Sequence, residues 1–194
     1  MQQRLKQALS RRQKQLIADN SRVPSAVLLP IYYKEGEFYI LFTKRTEMVK
    51  DHKGQISFPG GAYEEQDMTL LDTALRECGE EIGLPAEGIE VLGELDDIFT
   101  KGSSYCISPF VAVIPWPHSL RVYPEEVEEI IEVPVSALLD ENCIRQEIDI
   151  IDGQKVNAYF YHYQGKVIWG ATARILTQFL ELWAEVMNYQ EEQA

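Results

Sequence analysis

Glu77, Glu80 and Glu81 stand at i, i+3 and i+4 within Arg76-Glu77-Cys78-Gly79-Glu80-Glu81-Ile82-Gly83-Leu84. On a helix those offsets converge on one face. Three carboxylates so close repel one another and stabilise an isolated helix poorly unless a cation sits against them. Hard oxygen donors at this density suit Mg²⁺ or Mn²⁺. Arg76 lies one turn before Glu80 and one turn after Asp72, where it can hold a carboxylate by charge-assisted hydrogen bonds. Upstream, Phe58-Pro59-Gly60-Gly61 reads as a tight strand-to-loop turn whose glycines let backbone carbonyls approach an ion or a phosphate. An E-x-x-E-E run alone would read as a solvated face. The double glycine before it and Gly83 after it turn it into a site.

Other side chains carry weaker signals. Arg45, Lys50, His52 and Lys53 form a basic cluster just ahead of the glycine turn and could hold phosphates, the alternative being a solvated loop. The run Glu125-Glu126-Val127-Glu128-Glu129 is the best distant source of a general base, against an acidic surface loop. Trp169, Tyr159 and Tyr161 could stack on a base, although aromatics at strand or helix spacing are more often core. His118 and His162 read as structural or exposed, and Arg174 as a packing or ion-pair residue.

The elements that must position these groups follow from periodicity. Leu71, Ala74, Leu75, Cys78 and Ile82 form an apolar stripe beside the acidic face, and Thr69 is the expected N-cap. Gly79 inside that helix costs about 1 kcal/mol relative to Ala. Residues 26–33 and 38–44 are β-prone runs flanking Lys34-Glu35-Gly36-Glu37, which predicts a hairpin. Residues 89–95, 106–114 and 130–135 read as strands, with a short helix over 135–139. Asp152-Gly153 is a hairpin signal between runs 146–151 and 156–162. A packed terminal helix is expected over 171–189, and a basic helical extension over residues 1–22 precedes one domain over 23–190.

The chain has 194 residues, 45% of them hydrophobic, enough for one good core. No apolar run approaches the roughly 20 residues that cross a bilayer, and the polar, basic N-terminus and Glu-Glu-Gln-Ala C-terminus lead us to expect no secretory signal or sorting address. Cys78, Cys106 and Cys143 are widely spaced and odd in number, which fits a reducing cytoplasm and three small buried hydrophobes rather than disulfides or a zinc site. A net charge of -13 argues against nonspecific binding to nucleic acid or anionic membrane. A metal can still bridge acidic protein to an anionic small molecule.

Taken together, these residues resemble the Nudix hydrolase family, whose box reads G-x(5)-E-x(7)-R-E-U-x-E-E-x-G-U with U a bulky aliphatic, the match resting on Arg76, Glu77, Glu80, Glu81, Gly83 and Leu84. Two departures stand out. Five residues separate Gly61 from Asp67, where the pattern has Glu, and eight rather than seven then precede Arg76; Cys78 replaces the aliphatic residue. The early acidic position is thus shared among Glu64, Glu65 and Asp67. The segment Arg45-Thr46-x(3)-Lys50-x(3)-Gly54-x(3)-Phe58-Pro59-Gly60-Gly61 also resembles the signature that coenzyme A diphosphatases carry before the box, with Thr46 and Lys50 as related-residue departures. Further likeness lies at Pro109-Phe110-Val111, at Glu126-Val127 with Val133-Pro134-Val135, and at Ile168-Trp169-Gly170-Ala171-Thr172-Ala173-Arg174.

The resemblance implies an α/β (α+β) fold, the Nudix α/β/α sandwich with a mixed β-sheet, acting as a monomer or homodimer on a nucleotide substrate. It implies metal ligation by Glu77, Glu80, Glu81 and a carbonyl of Gly60 or Gly61, catalytic roles for Arg76 and Glu126, and substrate contacts from Arg45, Lys50, His52 and Lys53. The implied reaction is metal-dependent hydrolysis of the diphosphate of coenzyme A or its thioesters. Its rivals are a Nudix enzyme for ADP-ribose or a dinucleotide, and a Nudix-fold module that binds a nucleotide without cutting it. The usual mark of such a module, loss of box carboxylates, is absent here.

Overall fold

A computed structural model describes residues 1–19, 21–48, 52–100, 104–151 and 154–191. The chain runs α1 (Gln2–Arg11), β1 (Val23–Lys34), β2 (Glu37–Arg45), β3 (Ile56–Ser57), β4 (Gly60–Ala62), α2 (Leu70–Ile82), β5 (Glu90–Glu94), β6 (Ile98–Phe99) and β7 (Tyr105–Val113). It continues through β8 (Val127–Pro134), α3 (Val135–Leu138), β9 (Ile144–Ile151), β10 (Gln154–Tyr163), β11 (Lys166–Ile168) and α4 (Gly170–Glu191). Lys50 and the turn residues Asp152-Gly153 lie outside the described residues.

β1 and β2 form the expected hairpin, with Lys34 opposite Glu37. Its two-residue turn puts Glu35 at φ 53 and Gly36 at φ 97, the positive values that match the twist of paired strands. The principal sheet has eight strands in the order β3-β2-β1-β7-β5, with β4 added on β1, β6 on β7 and β8 on β2. β1 and β7 run parallel while their other partners are antiparallel, so the sheet is mixed. β9, β10 and β11 form a separate antiparallel sheet.

Both faces of the main sheet are covered, and β1 and β2 show why. Ala26, Leu28, Tyr32 and Leu41 point to one side, where they meet Ala74, Cys78 and Ile82 of α2. Leu29, Ile31, Ile40 and Phe42 point to the other, where they join Leu176, Phe179 and Trp183 of α4. Strands buried on both sides read as unbroken apolar runs, as residues 26–33 do. The result is the expected α/β/α layering.

The N-terminal helix is shorter than the basic stretch that predicted it, and it packs inward. It ends at Arg11, and Leu5 and Leu9, one turn apart, join the core on the α4 side. A Cβ on Gly93 would lie 2.7 Å from the Leu9 side chain, so α1 seats directly on β5. The residues that follow run extended along the β5–β6 region, where Arg12 meets Asp96 at 2.9 Å and Lys14 meets Glu94 at 2.6 Å and Asp97 at 2.9 Å.

Candidate active site

α2 is fixed at both ends by its own sequence. Thr69 caps the N-terminus in a reciprocal box: its hydroxyl accepts from the Asp72 amide at 3.2 Å, and the Asp72 carboxylate accepts from the Thr69 amide at 2.7 Å. Asp72 is thereby committed to the cap rather than to Arg76. At the C-terminus Gly83 adopts φ 65 and Leu84 donates to the Cys78 carbonyl at 3.2 Å. This is a left-handed stop closed by a buried Leu84, which accounts for the Gly-Leu pair that ends the motif.

The departure at residue 67 resolves in the structure. Asp67 is 5% exposed and receives the Arg76 guanidinium as a fork, Nε to Oδ1 at 2.9 Å and Nη2 to Oδ2 at 3.1 Å. Thr73 Oγ1 at 2.8 Å and the Glu64 amide at 3.0 Å also donate to it. These donors, Arg76 first, hold the Asp67 carboxyl well below the usual carboxylate range. Glu64 is exposed and reaches Arg76 only at 3.8 Å, and Glu65 is exposed. A shorter side chain one residue farther from Arg76 thus supplies the early carboxylate.

Arg76 Nη1 lies 2.9 Å from both Glu77 and Glu80 carboxylates, and Nη2 donates to the Ala62 carbonyl at 3.1 Å. The guanidinium ties the loop after the glycines to the acidic face. The two glycines touch that face directly. Gly60, at φ 153, would place a Cβ 2.3 Å from the Ala26 carbonyl oxygen, and a Cβ on Gly61 would lie 2.3 Å from Glu77 Oε1. The Gly60 amide donates to Glu81 Oε2 at 3.3 Å.

The three glutamates differ in environment. Glu80 is exposed, Glu77 half-buried and Glu81 2% exposed. Burial pushes Glu81 up to about 8, partly offset by Arg45, with the charges of Glu77 and Glu126 adding to the rise. Burial likewise raises Glu77. Among the described residues no three acid, imidazole or thiol groups are gathered as a ready cation site. Arg76 holds Glu77 and Glu80, each at 2.9 Å. The donor set nonetheless fits a hard divalent cation, because two half-buried to buried carboxylates crowd each other and a positive ion would relieve both.

Glu126 reaches this region because its loop hangs on the end of α2. The amides of Arg121 and Tyr123 donate to the carbonyls of Ile82 and Glu81, each at 2.9 Å, satisfying acceptors that a helix end leaves open. Thr46 donates from its amide to the Glu126 carbonyl at 2.9 Å and from its hydroxyl to the Glu125 carbonyl at 2.8 Å. The Thr at this departure from the signature therefore holds the Glu126 loop. Glu125 instead accepts from Tyr123, and Glu128 from Lys44.

A cleft of about 820 Å³ joins these parts, lined by Glu77, Glu80, Glu81 and Glu126 at one end and by Phe99, Tyr159, Trp169 and Arg174 elsewhere. Of the predicted basic cluster, Arg45 and His52 line it. Arg45 Nη1 faces Glu81 at 3.6 Å and its Nε is buried without a hydrogen-bond partner among the described residues. His52 approaches Gln55 Oε1 at 3.0 Å. Lys53 is exposed and is not part of the lining. Trp169 is 46% exposed on the cleft, whereas Tyr161 is core, its hydroxyl 2.8 Å from Thr177. Phe99 and Tyr105 gave no local signal in the sequence. Arg174, read as a packing or ion-pair residue, lines the cleft as well as packing on Phe99.

The NUDIX domain model matches residues 22–151. The chain is 38% identical over 165 residues to the Nudix hydrolase NudL of Photorhabdus laumondii, spanning 85% of this chain and 87% of that protein. It is 34% identical over 158 residues to NudL of Yersinia enterocolitica, spanning 81% and 80%. Among solved structures, a MutT/nudix family protein from Enterococcus faecalis aligns with TM-score 0.57 at 15% identity, over 90% of this chain and 66% of that one. The Ap4A hydrolase of C. elegans, as a binary complex, aligns with TM-score 0.50 at 16% identity, over 59% and 81%. At those identities the structural likeness speaks to the fold alone. The chain belongs to the Nudix family. It is an enzyme, a hydrolase of the class that cleaves nucleoside diphosphate derivatives and generally uses divalent cations. No helix among the described residues is long and apolar enough to cross a membrane.

Proposed function

We propose that this enzyme hydrolyses the diphosphate of coenzyme A or its thioesters, giving 3′,5′-ADP and 4′-phosphopantetheine or its acyl derivative. One observation carries this reading. The two segments that resemble coenzyme A diphosphatases lie far apart in sequence and both contribute to the same cleft, the first through Arg45, His52, Phe58, Gly60 and Gly61 and the second through Trp169 and Arg174.

Glu77, Glu80 and Glu81, with a carbonyl of Gly60 or Gly61, would hold Mg²⁺ or Mn²⁺. When bound, that ion neutralises phosphate charge and lowers the pKa of the attacking water. Arg76 keeps the glutamates in register through Asp67. Glu126, on the cleft wall and free of the side-chain pairs that engage Glu125 and Glu128, accepts the water proton. Arg45 balances the buried Glu81.

The test is incubation with coenzyme A and Mg²⁺ or Mn²⁺ followed by chromatography. The two named monophosphates are the expected products. Faster cleavage of ADP-ribose or a dinucleotide, judged by kcat/KM, would overturn the substrate assignment.

A further inference from the structure

Arg174 sits in the first turns of α4 and lines the cleft. Its guanidinium makes one hydrogen bond among the described residues, from Nη1 to the Phe99 carbonyl at 3.0 Å, and lies 5.0 Å from the Phe99 ring centroid. In a chain of net charge -13, no carboxylate of the described residues pairs with it. Burial alone acts on its titration, and lowers it. The other described cations near the cleft are accounted for: Arg45 faces Glu81, Lys44 pairs with Glu128, and Lys53 lies off the lining. A half-buried charge without a counter-charge is costly, and the compensating anion would have to arrive with a ligand.

We propose that Arg174 is a specificity-determining residue that binds a phosphate monoester on the nucleoside half of the substrate. The planar fork suits a phosphate. Trp169, exposed on the same cleft, and Tyr159 offer surfaces for the attached base. This assignment rests on the reading of the substrate as coenzyme A class and makes Arg174, rather than the loop over residues 45–53, the reader of its 3′-phosphate.

Calorimetric binding of 3′,5′-ADP and 5′-AMP to the wild type, R174Q, R174K and R22Q decides the matter without turnover. The wild type is expected to prefer 3′,5′-ADP by about 10-fold or more, the range for a hydrogen-bonded charge. R174Q should lose that preference. R174K, which keeps the charge without the fork, should lose at least about threefold of it and decides the question should R174Q not fold. Arg22 also lies 5.0 Å from the Phe99 ring but does not line the cleft, so R22Q loosens Phe99 and should keep the preference. A preference unchanged in R174Q, or in R174K should R174Q not fold, overturns the role of Arg174 and leaves the substrate reading standing. A wild type indifferent to the 3′-phosphate also overturns it, and the product chromatography then judges the coenzyme A reading separately.

Discussion

At the glutamate end of the cleft, Arg76 donates to Asp67, Glu77, Glu80 and the Ala62 carbonyl. At the aromatic end, Arg174 donates once among the described residues, to the Phe99 carbonyl. The first guanidinium is saturated by protein, which suits a group whose task is to hold other groups still. The second keeps donors in reserve. The two ends are also assembled differently, one from the contiguous stretch 60–84 with one distant loop, the other from residues near 99, 105, 159 and 169–174. On the proposed reading, the saturated Arg76 belongs to the end that does chemistry, and Arg174, with spare donors near the exposed Trp169, belongs to the end that receives the substrate.

The comparison breaks most readily at Glu81. E81Q keeps size and removes charge, and kcat should fall by about 10³-fold or more with the fold retained by circular dichroism, on the scale seen when a preorganised charge-stabilising group is lost. E80Q, at an exposed position, should lose less. If E80Q proved the more damaging of the two, the ranking by burial would be wrong. Next in size is Glu126. A general base contributes about 10² to 10⁴-fold, so E126Q should lower kcat by that order with little change in KM. E125Q and E128Q should behave like the wild type. Near wild-type turnover in E126Q would return the loop to a solvated surface.

The saturated end should also carry stability. D67N leaves Arg76 facing a neutral amide, and loss of one partner of a buried pair should lower the melting temperature by roughly 10 °C. The pH dependence has a definite sign. Folded Asp67 is depressed, so its contribution is fully present above the unfolded value near 3.9 and is lost as pH falls through the folded one. The gap in melting temperature between wild type and D67N should be flat from about pH 5 to 8 and narrow in stronger acid. A gap that widens on acidification would refute this.

Legibility followed the same division. The acidic helix, its Thr69 cap and the first hairpin were readable because each depends on residues a few positions apart, whereas the contacts of Gly61 with Glu77 and of Gly60 with Glu81 span 16 and 21 residues and were not. Asp67 was visible as one of three acids, and only burial distinguished it from Glu64 and Glu65. The N-terminal helix was read as too long, since a basic composition says nothing of the ion pairs with Asp96, Glu94 and Asp97 that take over beyond Arg11. Phe99 and Tyr105 come to the cleft only through sheet pairing of β6 and β7, which local pattern does not encode. Lys53 was grouped with Arg45 by proximity in sequence, whereas Arg45 ends a strand that aims it at Glu81 and Lys53 sits on an exposed turn.

The smallest effect concerns Gly79, a helix-interior glycine at which an added Cβ would meet only the Leu84 carbonyl oxygen, at 3.8 Å. G79A should stabilise by about 0.5–1 kcal/mol in denaturant unfolding and leave kcat unchanged. Destabilisation would mean that the acidic face needs the flexibility of this residue.

The division between a chemical end and a receiving end is tested most directly by steady-state kinetics of W169A with coenzyme A at saturating divalent metal. Loss of one stacking surface is worth about 1–3 kcal/mol of binding per base, so KM should rise about 10-fold with kcat within a factor of two of the wild type. A fall in kcat comparable to that of E81Q, with KM unchanged, would contradict the account.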